Sequence, residues 1–584
     1  MNTLQWREPD QNLDRQVTEI KNVATTMNTR FGPFEVDLEG RRLLKKGMPI
    51  TLREQSFQVL AALIERPGEI VTREELRKRL WSSDTFVDFE VALNSAVSRL
   101  RDALGDSPDE PSFIETIPKR GYRFVVPIAK RPTVAVMPFV NQITDTKDEY
   151  FSDGLTDELI RVLSRNAGFR ITASSVVFGF KGQRWDARRV GRELGVEAIL
   201  EGSVWRSRDR IRITVNLVGV KDGFNLWAQR FDTRLGDLFG IQDEVCTAVA
   251  EALHVRLKAP IGEHRPRNVD AYVQYLKGAY LLKKRTPSDV RRAFEYFREA
   301  IRLEPHYAEP YYGAAMYYNV SAAYGALSPR SALPEAEDLL SKGLALDKSS
   351  VRLHSTLAML RVFQWRWAEA EESCQQAISL EPTDAFAHIT HPVLFSFLGR
   401  HEEALLHARK AVELDPLDLM TNFRMLQSNY YARRYEDAVR CGRLAIELSP
   451  DSPYTCFYLA FSLAALGLKD EAWAVASTGR KLNDGLPLGE GYFGFVAGIL
   501  GHANEAHGVI EELRARRERG YSAALPIALT YVGLGESAPG FQWLETALSE
   551  GDPFLGSLMV FPGYDAVRDQ PQFKRLAEQL KLPI

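Results

Sequence analysis

Hydrophobic positions change their spacing along the chain, and each change indicates a different type of structure. Between residues 31 and 127, short alternating segments precede three helical stretches and a final pair of strand-like segments. Thr72, followed three residues later by Glu75, predicts a capping box at the start of the second helix. This spacing predicts a small α+β unit whose first and third helices are buried along one side, through Phe57, Leu60, Ala61 and Ile64 and through Leu93, Val97, Leu100 and Leu104.

Residues 131–257 predict a different, small α/β module. TVAVMPF is a buried-strand pattern, SDGLTDELIRVLSRN an amphipathic helix, RITASSVV begins a second strand and ARRVGRELGV forms a second helix. Strand patterns follow, with Ile211, Ile213, Val215 and Leu217 alternating with polar residues. Asp222-Gly223 supplies a hairpin turn. A closing helix is expected from about Leu235 to Leu257, and a polar linker over 258–268.

The back half of the chain is repetitive. Pro382, Pro416 and Pro450 lie 34 residues apart, and small residues recur with the same step at Ala370, Ala404, Ala438, Ala472 and Ala506. Small residues allow close helix packing and proline ends a helix, so each step predicts a helix pair. We expect an all-α solenoid over 269–555, stretched by a loop at SPRSALPEAE (328–337). Residues 556–584 are expected to cap it.

Composition limits the other possibilities. A chain of 584 residues with a net charge of −3 predicts several domains without general basicity, and its four cysteines form no CxxC pair. Residues 1–30 are expected to be a disordered extension, in which Met27 is an alternative start. The uncharged segment Ser452–Leu468 fits one helix of a repeat pair, so we predict a cytoplasmic protein without a membrane span.

No pattern for catalysis or metal binding is found. P-loop, nucleophile-elbow and dinucleotide motifs are missing, which predicts a non-enzyme without a cofactor. Asp153, Asp157 and Glu158 are explained by the dipole at a helix start rather than as paired acids. The clustered histidines are expected on the solvated surface, not as metal ligands, and comprise His388, His391, His401 and His407. The aromatics of WRW (365–367) are expected to be packing and rim residues.

The outward face of the third helix carries chemistry that suits a nucleic acid. It presents Asn94, Ser95, Ser98, Arg99 and Asp102, opposite the buried stripe. Small polar side chains and an arginine can enter a major groove and hydrogen-bond base edges. Arg101, at the flank, can reach a phosphate or pair with a carboxylate. The basic stretch PKRGYRF (118–124) follows, between two strand-like segments.

ALNSAVSRLRDALGD and FIETIPKRGYRF, together with the order of elements, resemble the OmpR/PhoB-type winged-helix DNA-binding domain over 31–127. The resemblance implies that double-stranded DNA is bound by a recognition helix (Asn94, Ser95, Ser98, Arg99, Arg101) and a wing. On the wing it places Lys119, Arg120, Tyr122 and Arg123, with Gly121 allowing the tight turn and Tyr122 packing or reaching a phosphate.

Two further resemblances cover the rest of the chain. YFSDGLTDELIRVLS, ELGVEAILEGSV and LWAQRFD resemble the TolB N-terminal-like (FlgO-like) module, which implies an interaction role. The 34-residue pattern resembles tetratricopeptide repeats, which implies a concave surface for a protein or peptide partner. Relatives with a winged helix carry a receiver before it or, in CadC-like proteins, a spanning helix after it, and neither is expected here.

Together these patterns predict a multidomain, sequence-specific DNA-binding transcriptional regulator, in which a repeat array senses or recruits a partner. A single winged helix contacts few base pairs, so a homodimer on DNA is expected. Residues 31–130 hold 16 Lys+Arg and 16 Asp+Glu. This neutral balance leaves an alternative open, a protein-interaction scaffold whose winged helix no longer binds DNA.

Overall fold

The computed structural model describes residues 28–37, 41–45, 48–81, 89–126, 132–142, 149–165, 168–207, 210–255 and 266–582. These residues belong to two compact units, Met1–Pro132 and Thr133–Ile584. Most of the predicted N-terminal extension lies outside the described residues. Its last three residues do not, because the first strand begins at Asn28.

The first unit joins a four-stranded antiparallel sheet, three helices and a three-stranded sheet. The first sheet has the order β1-β2-β3-β4 and the second β5-β7-β6. Thr72 and Glu75 form the predicted capping box. The strands are β1 (Asn28–Phe31), β2 (Phe34–Asp37), β3 (Arg42–Lys45), β4 (Met48–Ile50), β5 (Ile70–Thr72), β6 (Ile114–Ile117) and β7 (Gly121–Phe124), and the helices are α1 (Glu54–Glu65), α2 (Arg73–Leu80) and α3 (Phe89–Leu104).

The core of this unit forms because both sheets and all three helices turn an apolar side inward. Phe31 contacts the rings of Phe34 and Phe124, whose centroids lie 5.5 and 4.8 Å away. The predicted inward positions of α1 and α3 are all buried. This core fixes which face of α3 remains outside.

The second unit begins with the α/β module. Its six-stranded sheet has the order β10-β8-β11-β12-β13, with β9 beside β11. RITASSVV contributes only a two-residue strand before a short helix, and the closing helix ends at Ala252 rather than Leu257. The elements are β8 (Thr133–Val136), β9 (Val140–Asn141), α4 (Glu149–Arg165), β10 (Arg170–Ile171), α5 (Ser174–Phe178), α6 (Ala187–Glu193), β11 (Ala198–Ser207), β12 (Arg210–Gly219), β13 (Asn225–Arg234) and α7 (Leu238–Ala252).

The predicted array of paired helices follows. The helices are α8 (Val269–Lys284), α9 (Pro287–Leu303), α10 (Glu309–Ala323), α11 (Pro329–Leu346), α12 (Val351–Phe363), α13 (Trp367–Leu380), α14 (Ala385–His388), α15 (His391–Phe397), α16 (His401–Leu414), α17 (Leu419–Tyr431), α18 (Tyr435–Leu448), α19 (Pro453–Ala465), α20 (Lys469–Leu482), α21 (Pro487–Leu500), α22 (Ala503–Glu518), α23 (Ala524–Gly533), α24 (Ser537–Glu550) and α25 (Pro571–Gln579).

The repeat prolines act as predicted, but one predicted loop is wrong. Pro382, Pro416 and Pro450 each follow the end of a helix by two residues. Residues 329–337 are helical instead of looped. Pro329 stands in the first turn of α11, where its missing N–H costs nothing, and Pro334 is accommodated inside the helix. The uncharged segment at 452–468 contains α19. None of the helices in the described ranges combines the length and apolar character that a bilayer crossing requires.

The inner side of the array is filled by its own C-terminal segment, Pro553–Val567, which lies against the first helices of successive pairs. Phe554 lies 6.1 Å from the ring of Phe363 and 6.4 Å from that of Phe397. Further along, Phe561 packs against rings from three more helices, those of Tyr430 at 5.8 Å, Phe461 at 5.6 Å and Phe495 at 5.3 Å. The segment is therefore part of the core of the array as well as its end.

The array also closes on itself. The amide of Ser522 donates to the carbonyl of Gly325 over 2.9 Å, and the amide of Leu488 donates to that of Tyr324. Tyr324 stacks on Tyr454 at 4.1 Å. Residues near the start of the solenoid thus contact residues near its end. A concave surface open to a partner was the expectation, and the structure instead shows a filled interior.

The α/β module packs directly on the array, so the predicted linker does not separate two independent bodies. Helix α4 lies so close to α8 that a Cβ on Gly154 would come within 2.9 Å of Leu276. Ser175 donates to the carboxylate of Asp415, and Arg165 lies 3.7 Å from Glu309. Linker residues 256–265 lie outside the described residues. The module and the array form one compact unit.

Candidate nucleic-acid interface

Helix α3 is held in place by its buried face. Leu93, Ala96, Val97, Leu100 and Leu104 all lie in the core, and the Ser56 hydroxyl of α1 donates to the Ala96 carbonyl over 3.0 Å. The opposite face is open: Asn94, Ser98, Arg99 and Asp102 are exposed and Ser95 is half-buried. The structure therefore presents the outward face as the helical spacing predicts.

The wing is the hairpin of β6 and β7, and its turn carries two exposed cations, Lys119 and Arg120. The turn is closed by the Arg120 amide, which donates to the Ile117 carbonyl over 3.0 Å. Lys119 adopts the positive φ of 62° that the turn requires. The turn therefore does not depend on a glycine at position 121.

Gly121 has a different role from the one expected. It opens β7 beside β5, where it pairs with Thr72. A Cβ at this position would lie 2.1 Å from the Val71 carbonyl oxygen and 2.9 Å from the Thr72 Cα. Glycine is required here because two backbones approach closely, and not because of turn geometry.

Tyr122 is buried and positions Asn94 on the recognition helix. Its hydroxyl donates to Asn94 Oδ1 over 2.9 Å and accepts from Arg73 over 3.1 Å. Burial raises the pKa of Tyr122. The phenol therefore packs, the first of the two roles considered for it. Because Asn94 Oδ1 is occupied, the amide NH2 of Asn94 is the group that can donate outward.

Arg73 was absent from the predicted site residues, yet it connects the three elements of the interface. From the first turn of α2 it bonds Tyr122 on β7, and it also donates to Asn94 Oδ1 over 3.2 Å and pairs with Glu90 on α3. The capping box fixes the start of this helix. The pKa of Glu75 is lowered to about 2 by hydrogen bonds from the Thr72 amide and hydroxyl and from the Arg66 guanidinium. The sequence signals for Arg73 are its place directly after the N-cap and its membership of a basic helix that also carries Arg77, Lys78 and Arg79.

Two predicted contact residues bond within the fold. Arg101 is only 11% exposed and donates to the Ile114 carbonyl over 2.8 Å and to Thr116 over 2.9 Å, with Asp106 3.9 Å away. Arg123 is 37% exposed and donates to Glu115 over 2.8 and 2.6 Å. Arg101 thus joins α3 to β6, and Arg123 joins the two strands of the wing. Of the two roles considered for Arg101, the one beside a carboxylate matches the structure.

The remaining cations are free to meet an anion. Within the described part of the chain, Arg99, Lys119 and Arg120 form no ion pair, whereas Arg79 is held by Glu65 and Lys78 by Glu74. An apolar residue missed by sequence reasoning also lies on this helix. Val91 is 64% exposed near the start of α3. The interface combines polar donors, one apolar side chain and three unpaired cations.

The candidate acids of α4 are paired with cations in the structure rather than with one another. Asp153 pairs with Lys181 at 2.8 Å, Asp157 with Lys283, and Glu158 with Arg161. These carboxylates lie beyond the first turn of α4, so ion pairs rather than the helix dipole account for them. Among the described residues no cluster of three ligands suitable for a metal is present.

The histidines were expected on the surface, and this was wrong for His388 and His391. Both are buried, and His391 stacks on His407 with ring centroids 4.1 Å apart. They pack because the short helices α14 and α15 turn them toward α16. In the WRW stretch, the Trp367 indole N–H donates to the Leu580 carbonyl over 3.0 Å, which is a packing role.

Comparison with known proteins assigns part of the first unit. Residues 47–124 match the family model described as "Transcriptional regulatory protein, C terminal". These residues include α1, α2, α3 and the wing. The match therefore covers the candidate interface and leaves the α/β module and the array unassigned.

Curated relatives align with parts of the chain. HilA of Salmonella typhimurium, named a transcriptional regulator, is 23% identical over 344 residues, 56% of this chain and 60% of its own length. CadC of Escherichia coli, named a transcriptional activator, is 30% identical over 17% of this chain and 19% of its own length. A "Putative adenylate cyclase 3" of Rhizobium meliloti is 43% identical over 23% of each chain. The chain thus spans 60% or less of the length of these three relatives.

Among solved structures, the DNA-binding domain of Klebsiella pneumoniae RstA in complex with the RstA box is 32% identical over 17% of this chain and 98% of that one, with a TM-score of 0.15. The resemblance of residues 131–257 to the TolB N-terminal-like module stays a prediction, since no comparison tests it.

Proposed function

We propose that this protein is a sequence-specific DNA-binding transcriptional regulator, in which the first unit reads duplex DNA. One observation carries the proposal: the outward polar face of α3 lies in the same domain as a wing whose Lys119 and Arg120 form no ion pair among the described residues. Phosphate contacts provide affinity and base-edge contacts provide specificity, and this surface offers groups for both. The family match of residues 47–124 supports the proposal.

The geometry divides the side chains of this surface into three roles. Ser95, Ser98, Arg99 and the amide NH2 of Asn94 face outward and would contact base edges, and Val91 would contact a thymine methyl group. Lys119 and Arg120 would contact phosphates. The remaining three side chains, those of Arg101, Tyr122 and Arg123, would act by holding the helix and the wing in place.

The second unit would carry the input to this regulator in the cytoplasm. A protein or peptide partner remains the proposed signal, and two copies on adjacent half-sites remain the proposed DNA-bound form. Because Pro553–Val567 fills the interior of the array, a partner that uses this surface would first have to displace that segment. No catalytic step is proposed.

The proposal is tested by selecting motifs from random duplex DNA with the full chain and with Arg99→Ala and Arg120→Ala. We expect an enriched motif that is weakened and relaxed by Arg99→Ala and weakened uniformly by Arg120→Ala. Arg298→Ala, on an exposed arginine of α9, is the matched control and should leave the motif unchanged. If the full chain enriches no motif, the proposal is refuted.

A second function, a scaffold without DNA binding, is favoured by one observation. Arg101 and Arg123 bond within the fold, which reduces the positive charge that this neutral unit can present. The dependence of affinity on salt separates the two functions. Each phosphate contact adds about 0.9 to the slope of log affinity against log salt concentration, so a scaffold would show no duplex binding with such a slope.

A further inference from the structure

The six-stranded sheet of the α/β module has one covered face, and its opposite face is buried at Ile199 and Val218 but open from Asn216 to Arg210. On the covered face, the alternate residues Ile211, Ile213, Val215 and Leu217 of β12 are at most 1% exposed. Helices α4 and α7 supply further buried residues to the same core. Because side chains alternate along a strand, Arg212, Thr214 and Asn216 project from the opposite face. No described helix buries these three residues.

The register extends the open face over neighbouring strands. Arg212, Thr214 and Asn216 pair with Trp205, Ser203 and Glu201 of β11. On the other side they pair with Asp232, Arg230 and Ala228 of β13. Paired residues share a face, so these side chains form one surface across three strands. Each of the nine is half-buried or exposed.

One end of this open face is crowded with arginines. Asp232 lies 2.6 Å from Arg212, 3.3 Å from Arg210 and 3.8 Å from Arg230. Arg234 is paired with Arg210 in the register. The side-chain hydrogen bond from Arg212, together with the surrounding guanidinium charges, lowers the pKa of Asp232. A single carboxylate is thus shared by three guanidinium groups, with a fourth arginine beside them.

The excess charge is not explained by folding. One arginine would satisfy Asp232, and like charges placed across neighbouring strands are unfavourable. Arg212 already has two bonds to Asp232 and lies over the Trp205 ring at 5.4 Å. Arg210, Arg230 and Arg234 therefore bring positive charge that the sheet does not need, as expected of a surface for an anion.

The spacing of these arginines suits a phosphate backbone. Two residues along a strand span about 6.8 Å, and duplex DNA carries one phosphate charge per about 1.7 Å of its axis when both strands are counted, so arginines at this separation can each meet a phosphate. Guanidinium groups bind phosphate with two parallel hydrogen bonds. The centre of the open face carries the small polar side chains of Ser203, Thr214 and Asn216, and Trp205 on the same face is half-buried with the Arg212 guanidinium over its ring.

We propose that the arginine end of this open face, formed by Arg210, Arg212, Arg230 and Arg234, binds the phosphate backbone of duplex DNA beyond the segment read by the winged helix. The inference rests on the proposed function, which brings DNA to the chain. Because both surfaces belong to one polypeptide, DNA held by the first raises the effective concentration of DNA at the second. The second surface adds affinity without adding sequence preference.

The test uses the full chain and a duplex of about 40 base pairs, roughly four helical turns, with no selected motif. Binding is followed by fluorescence anisotropy over a range of salt concentrations. The sheet variant is Arg210→Gln with Arg230→Gln and Arg234→Gln, which keeps the Arg212–Asp232 pair. The control variant is Arg292→Gln with Arg298→Gln and Arg302→Gln, an equal loss of charge from exposed positions on α9.

We expect the sheet variant to lower the slope of log affinity against log salt concentration by about 2 to 3 units, at about 0.9 per contact. The control should keep the slope of the unsubstituted chain. Asp232→Asn should act in the opposite direction and tighten binding, which excludes misfolding as the cause. The proposal would be overturned if the sheet variant and the control variant show the same slope of log affinity against log salt concentration. It would also be overturned if Asp232→Asn weakens binding. If the sheet variant loses binding to single-stranded RNA but keeps its binding to duplex DNA, the surface binds RNA and the proposal is also overturned.

A parallel variant with Arg99→Ala and Arg120→Ala separates this inference from the proposed function. If only the winged-helix variant weakens duplex binding, the sheet surface is refuted and the regulator stands. If only the sheet variant does so, the DNA-reading role of the winged helix fails and the sheet surface stands. Loss in both variants, with a larger loss when they are combined, supports the two surfaces together.

Discussion

Phe561 tests whether the C-terminal segment truly completes the core of the array. Its side chain is 2% exposed and packs against the rings of Tyr430, Phe461 and Phe495, which belong to three different helices. Phe561→Ala removes these contacts and leaves a cavity that the surrounding helices fill only in part. Truncating a buried phenylalanine in this way costs about 3 to 5 kcal/mol.

The assay is urea unfolding of the full chain, followed by tryptophan fluorescence. Trp367 is a suitable reporter because its indole donates to Leu580, the residue directly after the end of α25. Phe224→Ala is the matched control, since the Phe224 ring is 73% exposed and its loss should change the free energy of unfolding by less than about 0.5 kcal/mol. If Phe561→Ala is as mild as Phe224→Ala, the segment does not occupy the interior and the closed array is refuted.

Three further predictions follow from other contacts. Gly121→Ala should destabilise the first unit by about 3 kcal/mol, because its Cβ would lie 2.1 Å from the Val71 carbonyl oxygen. Thermal unfolding measures this change. The control is Gly240→Ala, which should not destabilise the chain because its Cβ would meet nothing within 4 Å. Tyr122→Phe should weaken binding to the selected motif about tenfold, as expected for a lost hydrogen bond to Asn94. Binding to motif-free DNA should stay unchanged. An equal loss of affinity for both DNAs would mean that Tyr122 contacts phosphate. Burial lowers the pKa of His388 and His407 to about 4 and that of His391 to about 2, so below pH 6.5 the unfolded chain binds more protons at these positions. Their contribution to the free energy of unfolding should fall by up to about 1.4 kcal/mol per pH unit for each histidine, while burial raises the pKa of Glu381, Asp415 and Asp552, which act in the opposite direction. Urea titrations at pH 7 and pH 5 should therefore show that His391→Phe gains stability relative to the unsubstituted chain as the pH falls.

Local features of the sequence predicted the elements that depend on neighbouring residues. The stripe from Leu93 to Leu104 identified the buried face of α3, and therefore its open face as well. The 34-residue step from Pro382 to Pro450 identified the helix pairs. These signals are available because a helix period, a cap or a repeat is complete within a few turns of chain.

Features that depend on distant partners were not predictable in this way. Arg99 and Arg101 lie on the same helix, yet Arg101 is held inward by the Ile114 carbonyl and the Thr116 hydroxyl of β6. The burial of His388 and His391 follows from their packing against α16. The filling of the array by Phe561 has no periodic signature, because its ring partners lie in three different repeats. Tertiary contacts of this kind override the average preference of a residue for surface or core.

Closure of the array changes how this protein must be made. An open solenoid can fold repeat by repeat as it emerges, because each repeat needs only its neighbours. Here the indole of Trp367 finds its acceptor only when Leu580, 213 residues later, has been made, and the rings that contact Phe561 stay uncovered until residue 561 has been made. Contacts between such distant residues slow folding and leave apolar surface open to misassembly. A nascent chain that stops before residue 553 would therefore leave the ribosome with an unsealed interior, which makes it a natural substrate for chaperones and proteases.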